Sequence, residues 1–297
     1  MTEGKKKKII FIVNPKAGIT PKSKVVIELL AGNIFPASRF IPEVVFTERA
    51  GHATELAKDA VARGFDIVVA SGGDGTINEV ACAMTDTGIP MGILPAGSGN
   101  GLARCLGISM SYALALRTII RGKTKKMDIA TVNGMLYTSI AGVGFDAFVA
   151  QKFAGSYIRG MISYMRIVLK EFPKYKPLTY RLTIDGTHMD KEALMIVFAN
   201  SNQFGFNTRI APDASVDDGL IDVCVIKKMP VSQLFNVGYH LLKGTPVKTG
   251  YAEYFKGTNI TLENSSDLIM NIDGEPKIVS TPVNIGIKPL ALTVIVP

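Results

Sequence analysis

ASGGDGTINEV, residues 70–80, joins an apolar run (65–70) to a helix-forming segment through a turn in which three glycines surround one carboxylate, Asp74. Gly72, Gly73 and Gly75 have no Cβ, so the backbone folds tightly and can approach a ligand closely. The helix opening around Thr76 turns its free amides and positive dipole end toward the same point. This is the pattern of a phosphate seat. An acid inside an anion seat repels a bare phosphate, so Asp74 reads as a group that handles Mg²⁺ or a proton beside the phosphates. The plainer reading is a strand-to-helix turn with the aspartate as N-cap; what weighs against it lies in the rest of the chain.

Outward from that turn the same unit recurs. An apolar run at 9–13 leads into NPKAG (14–18) and a helix over 21–30 with a proline in its first turn. A strand at 44–46 ends at Thr47, and Ala53, Leu56, Ala57, Ala60 and Val61 then recur on one helical face. After the helix over 77–84 come a strand at 91–94, a second glycine-rich turn, PAGSGNG (95–101), and helical stretches at 102–106 and 112–120. Strands that are apolar throughout and alternate with helices predict a parallel sheet covered on both faces. Four turns, NPKAG, Thr47, SGGDGT and PAGSGNG, then fall at the carboxyl ends of the strands, where open sheets bind ligands.

Beyond about residue 122 the pattern changes. Segments 128–132, 136–141, 180–184, 193–199, 220–226, 260–262, 268–272, 283–287 and 292–296 read as strands, interrupted by helical segments at 145–169 and 231–242. Tyr180, Leu182 and Ile184 alternate with polar residues and end in Asp185-Gly186, a hairpin signal, so an antiparallel sandwich is expected. The predicted organisation is an α/β domain over 1–126 and an all-β sandwich domain over 127–297.

The 297 residues are 47% hydrophobic and 20% charged, a globular balance, and a formal net charge of +8 implies an anionic partner: nucleic acid, nucleotide or acidic membrane. The lysine run at 5–8 reads as a solvated tail or a membrane-steering one. Cys82, Cys105 and Cys224 are too scattered for a disulfide framework or a metal site, which fits a reducing cytosol, and His52, His188 and His240 form no ligand set. Five apolar residues after the lysines are too few for a signal-peptide core, and no run approaches the roughly 18 needed to span a bilayer. A cytoplasmic protein, soluble or peripheral to the membrane, is expected. Segment 157–176 mixes apolar residues with Arg159, Arg166, Lys170, Lys174 and Lys176, and reads either as a lipid-interface helix or as a helix covering the second domain.

Several nucleotide chemistries are excluded. The glycines at 97 and 99 lack the third glycine of a dinucleotide fingerprint and open the fourth unit instead of the first. No GxxxxGK[ST] is present, nor HRD or DFG.

NPKAG (14–18), GGDGTINEV (72–80), PAGSGNGLAR (95–104), DDGLIDV (217–223) and DGE (273–275) together resemble the diacylglycerol kinase and sphingosine kinase family of lipid kinases, over nearly the whole chain and in order. GGDGT alone is shared with NAD kinases and phosphofructokinases, which have related nucleotide domains. The resemblance implies a Rossmann-like N-terminal nucleotide domain, a C-terminal β-sandwich, an active site in the cleft between them, and transfer of the ATP γ-phosphoryl group to a lipid hydroxyl.

By matched position, the ATP-contacting set is Asn14, Pro15, Lys16, Ala17, Gly18, Thr47, Gly72, Gly73, Asp74, Gly75, Thr76, Ile77, Asn78 and Ser98. The family's structural Mg²⁺ falls on Ser215, Asp218 and the Leu220 carbonyl, where a turn before a strand is the plainer reading. DGE matches the catalytic segment, with Glu275 as the base that takes the proton of the attacking hydroxyl and Asp273 supporting it, in a network extending to Asp74 and Asp218. Another Asp-Gly hairpin turn is the alternative there. Diacylglycerol or a sphingoid base or ceramide is the implied acceptor. A small-molecule kinase of the NAD-kinase sort and a non-catalytic nucleotide- or lipid-binding regulator are the alternatives; retention of Asp74, Asp218, Asp273 and Glu275 together argues against the last. The expected partners are ATP, Mg²⁺, a lipid at the membrane surface and a second copy of the chain as a dimer, with no nucleic acid.

Overall fold

The first strand begins before its apolar run. In a computed structural model, which describes residues 6–18, 36–97, 99–154, 161–205 and 208–297, β1 is Lys7–Val13. Lys7 and Lys8 pair with Phe40 and Ile41 of β2 (Phe40–Phe46), and the Lys8 N–H donates to Asp66 Oδ2 at 2.7 Å. Parallel pairing therefore recruits two lysines expected in a tail. Lys5 and the helix expected over 21–30 lie outside the described residues.

The chain divides into two units, Met1–Met127 with Leu290–Pro297, and Asp128–Pro289. The first is the parallel α/β layer. Its sheet runs β2-β1-β3-β4, where β3 is Ile67–Gly72 and β4 is Met91–Pro95. All three pairings are parallel. Leu290–Pro297, the end of the span expected for the second domain, groups with the first unit, where Val294 pairs in parallel with Met91 of β4.

Helices α1 (His52–Ala62), α2 (Asp74–Met84), α3 (Gly101–Cys105) and α4 (Tyr112–Arg121) complete this unit. α2 buries Ile77, Val80, Ala81 and Met84, one helical stripe. Full burial of Ile77, Val80 and Met84 contributes roughly 5–8 kcal/mol, which fixes the start of α2 above the end of β3. β1 neighbours both β2 and β3, so the chain leaves it in opposite directions. The carboxyl ends of β1 and β3 form the switch point at which open α/β sheets bind ligands.

The second unit is a sandwich. One sheet carries β13 (Ile260–Glu263) between β8 (Leu178–Ile184) and the start of β16 (Val283–Ile295), with β9 (Thr187–Ala193) on its edge. β5 (Thr124–Val132) pairs with β16 and with β6 (Met135–Tyr137). The other sheet runs β12 (Ala252–Gly257), β11 (Ile221–Ile226), β10 (Met195–Ala199), β7 (Ile140–Gly144), β14 (Leu268–Ile272), β15 (Glu275–Val279). Asp185 and Gly186, both at positive φ, turn β8 into β9 as the hairpin signal predicts.

Period-two alternation sorts the second sheet's side chains. Ile196, Phe198, Val223 and Val225 pack between the sheets with Tyr180, Leu182 and Ile260. Val197, Ala199, Cys224 and Ile226 face the other way, against Phe145, Val149, Phe172 and Val237. Those last residues belong to or follow α5 (Phe145–Ala154), α6 (Met161–Glu171) and α7 (Leu234–Lys243), so the helical interruptions form a third layer over the sheet. The single strand expected at 136–141 is two, β6 and β7, because the amides of Thr138, Ser139 and Ile140 turn to a carboxylate 133 to 135 residues away.

Candidate functional site

At the switch point in the first unit, Asn14 follows β1. Its N–H donates to the Ser71 carbonyl at 2.8 Å, its Oδ1 accepts the Lys16 N–H at 3.0 Å, and its Nδ2 donates to Thr76 Oγ1 at 3.1 Å. One side chain thus folds the 14–18 turn and ties it to the first turn of α2. Pro15, Lys16 and Ala17 complete that turn, and Gly18 takes positive φ. Thr47 is buried beside it, held by its N–H to the Val13 carbonyl at 2.9 Å.

The helix start is open. Gly73 is the N-cap of α2 and has no side chain to cap the first amides, which leaves them directed to an incoming anion. A Cβ at Gly75 would meet nothing within 4 Å, so this glycine keeps the space in front of those amides clear. Gly97 is glycine for a different reason. A Cβ on Gly97 would lie 2.7 Å from the Gly73 Cα, so the two glycine turns pack backbone on backbone.

Asp74 is not the free acid expected beside phosphates. Its Oδ2 accepts the Asn100 N–H at 2.8 Å and its Oδ1 the Gly101 N–H at 2.7 Å. Both oxygens tether one glycine turn to the other, and Asn100 closes that second turn through its own side chain on Gly97. Ile77, expected in the ATP-contacting set, has its side chain in the core, and its amide donates to the Gly73 carbonyl at 3.0 Å. Asn78 Oδ1 accepts the Cys82 thiol one turn along α2. Ser98 lies outside the described residues.

Two residues escaped the sequence reading. Glu79 accepts the N–H groups of Gly51 and Ala53 at 2.9 and 3.0 Å and so anchors the start of α1; Ser71, fully buried, shares a hydrogen bond of 3.1 Å with the Tyr112 hydroxyl. Glu79 sits within GGDGTINEV, and a carboxylate one helical turn past a glycine loop was the available signal.

In the second unit, Asp273 and Gly274 form the positive-φ hairpin turn between β14 and β15, the alternative weighed for DGE. The Asp273 carboxylate is nevertheless fully used. Oδ2 accepts Thr138 N–H and Oγ1 at 2.7 and 2.9 Å, and Oδ1 accepts Ser139 and Ile140 N–H, each at 2.9 Å. Burial pushes its pKa up, opposed by these donors. Asp273 is thereby a positioning residue that fixes the turn. Glu275, first in the edge strand β15, is exposed, with one oxygen 3.5 Å from Lys277 Nζ.

A further carboxylate lies close by in sequence space to neither motif. Asp146, in the first turn of α5, is buried, and its Oδ2 accepts Asn271 Nδ2 at 2.9 Å. Gly142 must be glycine to admit it, since a Cβ there would stand 2.5 Å from that oxygen. Burial pushes its pKa up to about 6. An acid inside the apolar run AGVGFDAFVA was the signal for it.

Ser215, Asp218 and Leu220 belong to a turn before β11. Ser215 Oγ donates to Asp217, Asp218 Oδ1 accepts the Leu220 N–H at 3.1 Å, and Asp218 Oδ2 lies 3.6 Å from Lys256 Nζ. That ammonium also pairs with Asp222 at 3.1 Å. Lys256 thus stands between two carboxylates, Asp218 and Asp222, and a carboxylate is the kind of oxygen donor that Mg²⁺ takes. The residues fit such an ion through Asp218 alone, with Lys256 held by Asp222. Among the described residues no three His, Cys, Asp or Glu side chains cluster as a metal site.

Residues 8–132 match the model of the diacylglycerol kinase catalytic domain, and residues 139–296 match that of the YegS C-terminal NAD kinase beta sandwich-like domain. The chain belongs to the diacylglycerol kinase family. It is 30% identical to a diacylglycerol kinase of Bacillus subtilis (strain 168) over 274 residues, 91% of this chain and 90% of that one. It is 29% identical to a diacylglycerol kinase of Staphylococcus aureus (strain Newman) over 234 residues, 77% and 74% of the two chains. A crystal structure of a putative diacylglycerol kinase from Bacillus anthracis str. Sterne superposes with a TM-score of 0.78 at 24% identity, covering 99% of this chain and 98% of that one, which establishes the shared fold. Family membership implies ATP as the phosphoryl donor.

Proposed function

We propose that this chain is an ATP-dependent lipid kinase, with diacylglycerol as the first acceptor to test and a sphingoid base or ceramide as the other. The observation that carries the nucleotide half is the uncapped start of α2 behind Gly75, at the switch point and tied to Asn14. Backbone amides there hold the phosphates, and the Asn14, Thr47 and Thr76 side chains orient them. Mg²⁺ arriving with ATP would neutralise phosphate charge, and Asp218 would hold the ion of the sandwich unit. The relatives, named diacylglycerol kinases over most of this chain, disfavour the NAD-kinase and regulator alternatives.

Glu275 takes the proton of the lipid hydroxyl as its oxygen bonds to the γ-phosphorus and the bond to the β-phosphate oxygen breaks, releasing ADP. Asp273 holds the turn from which Glu275 projects. In a loose transition state the proton leaves late, so position matters more than basicity. The protein acts on lipid at a membrane face; among the described residues no helix is long and apolar enough to cross a membrane.

The test is transfer of label from ATP with Mg²⁺ to diacylglycerol, a sphingoid base, ceramide or NAD, each offered alone. Label on one lipid, reduced about a hundredfold or more by Glu275→Gln with unchanged melting, supports the reading and names the acceptor. Label on NAD alone overturns it, and full turnover by Glu275→Gln removes that residue from its role.

A further inference from the structure

The third layer of the sandwich unit carries an apolar surface that its own core does not cover. α7 buries Val237 and packs Leu234 and Leu241 against the sheet, while Phe235, Tyr239 and Leu242 stand on its outer side at 74, 57 and 50% exposure. These follow a spacing of four and then three residues, one helical stripe. The short turns at each end of α7 extend it, with Val231 at 52% and Val247 at 58%. Five large apolar side chains in 17 residues of sequence, 231–247, exceed the scattered exposure ordinary for a surface and mark an interaction face.

Its charge identifies the partner. From Lys227 to Ala252 the sequence contains no Asp or Glu, while Lys227, Lys228, Lys243 and Lys248 supply four positive charges. Lys227 is paired with Glu253 and Lys228 donates to the Phe172 and Tyr175 carbonyls. Lys243 and Lys248 remain exposed beside the stripe, the first lying 5.8 Å from the Tyr239 ring centroid. Aromatic and aliphatic side chains rimmed by lysines, without an acid, complement an apolar layer beneath anionic headgroups. α6, part of the segment expected at the lipid interface, exposes Ile162, Met165 and Leu169, but it ends in Glu171, which pairs with Lys152; residues 157–160 of that segment lie outside the described residues.

We infer that the outer face of α7 and its flanking turns, 231–248, is the surface by which this protein docks on an anionic bilayer. The inference gives the proposed lipid kinase its membrane contact, yet it stands on the surface alone and is tested apart from catalysis.

The experiment is co-sedimentation of the full chain with vesicles of phosphatidylcholine alone or mixed equally with phosphatidylglycerol. The wild type is expected to bind the mixed vesicles. Phe235→Ser with Tyr239→Ser should weaken binding at least about tenfold, and Lys243→Ala with Lys248→Ala by roughly twenty-fivefold, about fivefold per lysine, with the loss confined to anionic vesicles. Melting temperature and phosphorylation of a water-soluble short-chain diacylglycerol should be unchanged in both variants, and Ile162→Ser on α6 should bind as wild type does. Failure of the wild type to bind, or binding indifferent to both variants, overturns the assignment even if the short-chain acceptor is phosphorylated. If sedimentation equilibrium shows a dimer that Phe235→Ser with Tyr239→Ser converts to monomer while vesicle binding persists, the face belongs to a second copy and the assignment is also overturned.

Discussion

Asp146→Asn should make the protein more stable at neutral pH and leave it unchanged in acid. The carboxyl is buried, lies against the space left by Gly142, and has Asn271 as its hydrogen-bonding partner. Burial raises its pKa from 3.8 to about 6. A raised folded-state value means the fold binds this proton more tightly than the unfolded chain does. Its contribution is therefore complete below about pH 4 and is lost as pH rises toward 6. A shift of roughly two units corresponds to about 3 kcal/mol between those limits. The Asn271 hydrogen bond favours the charged form and opposes the shift. The substituted carboxamide cannot ionise, and its NH₂ can donate to Asn271 Oδ1, which is buried without a partner. Urea unfolding of both proteins near pH 4 and pH 7 gives the difference, in which all other titrating groups cancel. That difference should grow by about 3 kcal/mol in favour of the variant across the window. A difference that does not vary with pH would refute a buried, ionising Asp146.

Gly75→Ala separates folding from ligand binding. Alanine is better than glycine inside a helix by about 0.5–1 kcal/mol, so melting should rise slightly, while calorimetric ATP affinity falls tenfold or more because the methyl fills the clear space; unchanged affinity would move the phosphate seat elsewhere. Asp273→Asn should lower stability by roughly 2–4 kcal/mol, because the new NH₂ opposes amide donors that the carboxylate accepted, whereas Glu275→Gln on the exposed edge should melt with the wild type. Equal melting of the two would show that Asp273 does not hold the 138–140 turn.

The α/β half was readable because its signals are local. Apolar runs such as 9–13 and 91–94 are bounded by glycine turns, and the stripe of Ala53, Ala57 and Ala60 shows its helix without knowledge of anything else in the fold. The hairpin at Asp185-Gly186 was equally local. Two edge strands were not legible: β9 (THMDKEA) and β15 (EPKIV) face water along one side and carry no apolar pattern, so pairing with β8 and β14 is what makes them strands. The division of 136–141 into two strands depends on Asp273, far along the chain.

The sequence by itself determined the order of elements, the glycine turns, the two-part architecture and the family. Each rests on residue type and spacing within about one turn or strand. Tertiary structure alone decided what the acids do. Asp74 became a tether because Asn100 and Gly101 arrive beneath it, Asp273 an anchor because the backbone at 138–140 turns toward it, and Asp146 a buried proton site because Gly142 leaves it room. A carboxylate takes its role from the donors and the dielectric around it, and those are supplied by segments that only folding brings together.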